Sequence, residues 1–232
     1  MGLYLVIMGV QGAGKGTQAA FVKDKYNIPH ISTGDLFRAM RAREDELARR
    51  VQEIMNAGQL ISDEITNEVL RDRLQQPDAA NGVILDGYPR NPAQAEWLEN
   101  YLQERGEKLT AVLLLDLDYY TAFKRAFGRV KSEQTGETYN IYFNDEVEAK
   151  FVDHAEKAFP PRLEATHTPT GEVLQRRPDD EAFSVVKRID IYRETTMPLI
   201  DHYRQKGLLV TIDADQPIEK VSQDITTAIE QK

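Results

Sequence analysis

Residues 3 to 18 read LYLVIMGVQGAGKGTQ, a short apolar run and then a glycine-rich turn that carries a lysine. A nearly continuous apolar run of this length is what a strand covered on both faces of a parallel sheet requires. The turn contains Gly9, Gly12, Gly14, Lys15, Gly16 and Thr17, in the spacing G-x-x-x-x-G-K. Glycines let the backbone curl with its N–H groups pointing inward around a phosphate. The helix that follows offers its positive end, and Lys15 supplies a mobile cation. Where a magnesium-binding hydroxyl usually follows the lysine, this chain has Gly16, and Thr17 comes one residue later.

Working outward, strand-like runs recur at 28 to 31 (IPHI), 82 to 86 (GVILD), 111 to 116 (AVLLLD) and 207 to 213 (GLLVTID). Between them the period becomes helical, as in 64 to 75 (EITNEVLRDRLQ) and in the last segment, where Ile218, Val221, Ile225 and Ile229 share one face. Alternating strand and helix predicts an α/β fold, a doubly wound parallel sheet of five strands. Two segments break the alternation. Residues 33 to 62 read as helices with no strand between them, and 129 to 179 mix Gly136, Pro160, Pro161 and Pro178 with short alternating pieces such as TYNIYF. These are expected to be inserted lobes on a core of 1 to 32, 63 to 128 and 180 to 232.

The chain has 232 residues, with 29 Lys plus Arg against 38 Asp plus Glu, a net charge of −9. That balance argues against bulk attraction to nucleic acid or anionic lipid, so an anionic ligand needs a locally positive pocket. There is no cysteine, which removes disulfides, thiolate zinc sites and cysteine nucleophiles together. The early apolar stretch GLYLVIMGV lacks a basic leader and the length of a signal peptide, and no later run approaches a membrane span. The expectation is a cytoplasmic protein.

The variant GKGT at 14 to 17 resembles the nucleoside monophosphate kinases, and adenylate kinases most closely. Further matches extend that likeness over nearly the whole chain: ISTGDLFR at 31 to 38, LDGYPRNPAQ at 85 to 94, RAFGR at 125 to 129, QRRPDD at 175 to 180, KRIDIY at 187 to 192 and TMPLIDHY at 196 to 203. The resemblance implies magnesium-dependent phosphoryl transfer from ATP to AMP giving two ADP, in a monomeric core flanked by an AMP-binding lobe and a lid. It implies that Gly12, Ala13, Gly14, Lys15, Gly16, Thr17, Arg125, Arg129 and Tyr139 bind ATP. On the same ground Thr33, Gly34, Arg38, Ile61, Gly87, Arg90, Gln94, Arg177 and Arg188 face AMP, and Lys15, Arg90, Arg125, Arg177 and Arg188 act on the transferring group. Asp86 would hold magnesium through its water shell, as suits a cation that keeps several waters.

The residue types make chemical sense. Guanidinium forks bind phosphate oxygens directionally, as in-line transfer needs. Gln94 offers a donor and an acceptor, which adenine's 6-amino group and neighbouring ring nitrogen require. Charge in the transition state spreads over equatorial oxygens, so positioning and electrostatics suffice and no protein nucleophile is expected. Relatives specific for UMP and CMP usually carry alanine and asparagine where this chain has Thr33 and Gln94. A UMP/CMP kinase and a catalytically silent nucleotide-binding protein are the alternative readings.

Several positions depart from the family pattern. Long-lid relatives often hold structural zinc with four cysteines, and the corresponding positions here are Ser132, Thr135, His167 and Thr170. These side chains predict a hydrogen-bond network and no zinc. Residues 145 to 159 read as an insertion, and Val147, Phe151 and Ala155 share one helical face, which predicts a short amphipathic helix. Asn140 stands where many relatives place a histidine near the adenine of ATP, leaving stacking to Arg125. Val130 replaces a second arginine, and Gln11 replaces the usual P-loop proline. Arg176 competes with Arg177 for its role, and Asp179 and Asp180 are expected to hold lid arginines.

Overall fold

The computed structural model describes residues 2–56, 61–153, 156, 161–177 and 180–232. Its contacts divide the chain into two compact units: residues 1–9, 14–117 and 192–232 form the first, and residues 10–13 and 118–191 the second.

The first unit is built on a five-stranded sheet in the order β10-β4-β1-β3-β2. Its strands are β1 (Leu3–Gly9), β2 (His30–Ser32), β3 (Gly82–Asp86), β4 (Ala111–Asp116) and β10 (Leu209–Asp213). Every pairing is parallel, with Val6 opposite both Leu85 and Val112. β1 is central, and all its residues after Leu3 are buried, which is why its sequence shows no polar alternation. The predicted α/β fold is present. Strand β2 starts at His30, two residues later than its apolar run, because Pro29 has no N–H for the ladder; its carbonyl accepts from Ile84 N at 3.0 Å.

Helices cover the sheet and leave the candidate site residues Thr33 and Asp86 at its C-terminal edge. α1 (Lys15–Tyr26) starts after Gly14. α2 (Thr33–Met40) leaves β2 directly and is capped by the Ser32 hydroxyl, which accepts from Asp35 N. α4 (Asp63–Leu74) is capped by Ser62 and α5 (Pro92–Glu104) by Asn91, with Pro92 at its first position. The main core joins Val6, Leu70, Leu85, Tyr88, Leu98, Leu102, Leu114 and Tyr203, the last from α8 (Met197–Gln205). A separate small core of Met40, Ala48, Val51 and Val69 links α2, α3 (Glu46–Asn56) and α4. Helix α9 (Ile218–Glu230) buries Val221, Ile225 and Ile229 of the predicted apolar face, whereas Ile218, at its first position, is exposed.

In the second unit α6 (Tyr119–Phe127) packs on α7 (Ala182–Ile191). A hairpin of β5 (Arg129–Lys131) and β6 (Thr138–Asn140) lies in one small sheet. A second, antiparallel sheet is ordered β7-β8-β9, from β7 (Val147–Val152), β8 (Arg162–His167) and β9 (Glu172–Leu174). Val130, Val147, Ala165 and Leu174 make its core.

The amphipathic helix expected at Val147 and Phe151 is absent and a strand takes its place; Ala155, Pro160 and Asp179 lie outside the described residues. β7 pairs with β8 from Val147 opposite His167 to Val152 opposite Arg162. A ladder of that length pairs one side of the VEAKFV backbone with β8, and its β-branched and aromatic residues fit a pleated surface better than a helix. Helical spacing of a few apolar residues is weak evidence against such a partner.

Candidate functional site

Backbone conformation explains the glycines of the phosphate loop. Gly9, Gly12 and Gly14 have φ of 151°, 95° and 91°, and only glycine adopts the last two without strain. A Cβ on Gly12 would also stand 2.4 Å from the Ala122 carbonyl oxygen. Gly16 and Thr17 are exposed in the first turn of α1, where N–H groups have no helical partner. Lys15 Nζ donates to the Gly9 carbonyl at 2.7 Å. The residue as a whole is half-buried, but desolvation of its ammonium end lowers the Lys15 pKa while the Asp86 charge opposes that fall.

Asp86 closes β3 and is half-buried. His30 Nε2 lies 3.5 Å from its Oδ2 and has no hydrogen-bond partner. The same carboxylate favours the Arg90 cation against the burial that disfavours it. A carboxylate at the C-terminal edge of the sheet, flanked by the end of the phosphate loop, fits a hydrated magnesium ion.

A hydrogen-bonded cluster joins the ends of β2 and β3. Thr33, buried as the first residue of α2, donates through Oγ1 to the Gly87 carbonyl at 3.0 Å. Arg90 Nε donates to the same carbonyl at 2.8 Å, and its terminal nitrogen lies 3.4 Å from Thr33 Oγ1. Gly87 has φ of 77°, and a Cβ there would come 3.1 Å from Thr33 Oγ1. Gln94 Oε1 accepts from Arg90 N at 2.8 Å. Thus Thr33, Gly87, Arg90 and Gln94, chosen from the sequence, are brought together. Arg38 is exposed and ion-paired with Asp35, and a Cβ on Gly34 would sit 3.4 Å from its guanidinium. Ile61 packs against the small core of α2, α3 and α4.

The remaining arginines belong to the second unit. Arg129 donates twice to Asp180, from Nε at 2.8 Å and a terminal nitrogen at 2.7 Å. Gln11 Nε2 reaches the same carboxylate at 3.3 Å, a role its proline counterpart could not fill. Arg176 is committed to packing: it donates to the Phe127 carbonyl at 2.7 Å, to the Asp180 carbonyl at 3.0 Å and to Glu181 at 3.0 Å. Its guanidinium stacks 4.7 Å from the Phe127 ring. Arg177, beside it, is exposed, whereas Arg125 on α6 and Arg188 on α7 are half-buried.

Asn140 is a cap that sequence reasoning missed. Its Nδ2 donates to the Lys124 and Arg125 carbonyls at 3.2 and 3.1 Å, tying off the end of α6. A Cβ on Gly128 would meet Asn140 Oδ1 at 2.5 Å, so a larger residue at 128 would displace this cap. Tyr139 donates to Glu137 at 2.7 Å, which raises its pKa, and its ring lies 5.0 Å from that of His167.

The four positions aligned with zinc cysteines carry hydrogen bonds centred on Glu172, a residue not singled out in advance. The buried Ser132 hydroxyl donates to Glu172 at 2.8 Å and accepts from Thr135 N at 3.0 Å. Thr170 Oγ1 lies 2.8 Å from His167 Nδ1 and accepts from Glu172 N at 3.3 Å. The Ser132 hydroxyl, together with the Gln134 and Glu133 N–H groups that also reach its carboxylate, holds the Glu172 pKa down. Among the described residues no group of three or more His, Cys, Asp or Glu could hold a metal ion, and no helix is long and apolar enough to cross a membrane.

Comparison with known proteins follows the same lines. The profile of the family described as adenylate kinase matches residues 7–208. The chain is 41% identical over 225 residues to an adenylate kinase of Caldanaerobacter subterraneus subsp. tengcongensis, covering 97% of this chain and 95% of that one. It is 41% identical to an adenylate kinase of Listeria monocytogenes serotype 4b over 95% of this chain and 96% of the relative. Against an adenylate kinase of Streptomyces avermitilis the identity is 41% over 98% and 97%.

Proposed function

The chain belongs to the adenylate kinase family, and from that premise we propose that it transfers the terminal phosphoryl group of magnesium-bound ATP reversibly to AMP, giving two ADP. The observation that carries the acceptor half of this reading is the linked cluster of Thr33, Gly87, Arg90 and Gln94 at the sheet edge.

In this reading the backbone from Gly12 to Thr17 and the Lys15 ammonium bind the ATP phosphates. Lys15 leaves its bond to the Gly9 carbonyl to do so, exchanging a neutral acceptor for an anionic one. Arg38 and Arg90 bind the AMP phosphate, and the Arg90 contact with the Gly87 carbonyl aims its fork before the acceptor arrives. Arg125, Arg129, Arg177 and Arg188 stabilise charge on the moving group, in keeping with a transfer that needs no covalent enzyme intermediate. Asp86 would hold magnesium through water, and the ion would neutralise charge on the phosphate oxygens. Closure of the lobes keeps water from competing with AMP. The proposal takes the enzyme as a cytoplasmic monomer acting on nucleotides.

The test is ADP formation from magnesium-ATP with AMP, CMP, UMP and GMP in parallel, with a no-acceptor control. Turnover with AMP well above the others is expected. Turnover with CMP or UMP instead would move the assignment to a pyrimidine monophosphate kinase, and no turnover with any acceptor would leave a nucleotide-binding role.

A further inference from the structure

An amide side chain ordinarily presents its oxygen and nitrogen in either order, because a half-turn about its last bond exchanges them. Gln94 is denied that freedom from both ends. Its Nε2 donates to Asp63 Oδ1 at 2.6 Å, and a carboxylate only accepts. Its Oε1 accepts from the Arg90 backbone N–H at 2.8 Å, which only donates. The second Asp63 oxygen is held by Asn91 Nδ2 at 2.9 Å, and Asn91 Oδ1 accepts from Gln94 N at 2.9 Å. Every polarity in this ring is therefore set by Asp63 and the backbone. Gln94 is buried, with 4% of its surface exposed, and keeps one N–H and one oxygen lone pair beyond these bonds.

We propose that Asp63 is a specificity-determining positioning residue: by fixing the amide of Gln94 in one orientation, it makes the acceptor site discriminate 6-amino from 6-oxo purines. The inference rests on the reading above, in which Gln94 faces the acceptor base. Adenine offers a donor at its 6-amino group and an acceptor at N1, matched by amide oxygen and amide nitrogen in that order. A 6-oxo purine presents the reverse, an acceptor at O6 and a donor at N1. A glutamine free to turn over serves both; one locked by a carboxylate leaves buried polar groups facing like groups when the wrong base enters, a strong basis for rejection. Asp63 does this without touching the nucleotide.

The experiment compares kcat/KM for AMP and IMP, which differ in this reversed pair, in wild type, Asp63→Asn, Asp63→Ser and Gln94→Ala. IDP and ADP are resolved by chromatography, and folding is checked by thermal unfolding. Both Asp63 variants are expected to lower the AMP:IMP ratio by roughly tenfold, because Asn and Ser can donate or accept and so remove the stronger, charged constraint, leaving only the Arg90 N–H against the turned amide. A purely structural role at the start of α4 would depress both substrates equally and leave the ratio alone. An unchanged ratio in the Asp63 variants together with a changed one in Gln94→Ala would overturn the inference and spare the reading of Gln94. An unchanged ratio in Gln94→Ala would sink both.

Discussion

The Asp180 carboxylate has no exposed surface, and Arg129 closes on it with two parallel N–H bonds. Removing one member of such a pair strands the other. Asp180→Ala is expected to destabilise the second unit by about 2–3 kcal/mol, below the range for a fully enclosed pair because Arg129 keeps some contact with water. It should also raise KM for ATP. Denaturant titration against wild type checks the first effect, and steady-state kinetics the second.

Lys15 has the opposite problem, a cation desolvated at its tip. Between its lowered folded pKa and its ordinary unfolded one, the unfolded chain binds more protons. Stability of the nucleotide-free protein should therefore rise with pH through that window, with the penalty fully present below the folded pKa. Unfolding free energies of wild type and Lys15→Met over alkaline pH test this: the variant should lose the rise. It should also lose about 100-fold or more in kcat.

Gly87 is required twice over, by its φ of 77° and by the 3.1 Å that a Cβ would leave to Thr33 Oγ1. Gly87→Ala is predicted to cost about 1–2 kcal/mol in backbone strain. Displacing Thr33 and Arg90 should raise KM for AMP while leaving KM for ATP nearly unchanged, a split that kinetics at fixed saturating partner would read.

Ser132 is buried and bonded on both sides, as donor to Glu172 and acceptor from Thr135 N. Ser132→Ala should cost about 1–2 kcal/mol. The loss should be local: amide exchange is expected to quicken in β5, β6 and β9 and stay unaltered in the five-stranded sheet.

What could be read from the sequence was what depends on neighbours along the chain. β1 and the glycine loop announce themselves because apolar continuity and positive φ are local demands. Arg90 was legible inside DGYPR, at the end of a run that already looked like a strand. Asp63 was not, since it meets Gln94 across 31 residues and, seen alone, is an ordinary first-turn helix acid. Asn140 signalled a lost histidine, yet its role as a cap on α6 required knowing where that helix ends. The strand at 147 to 152 was missed for the same reason: its partner starts further along the chain, at Arg162, and a ladder is a property of two segments.

That strand has a colloidal consequence. β7 forms one rim of its sheet, and an open rim is where chains stick to one another through unpaired backbone groups. Glu148 and Lys150 stand exposed at its middle. A second molecule docking edge-on would have to strip water from both ions, so the strand that ends the sheet also guards its border.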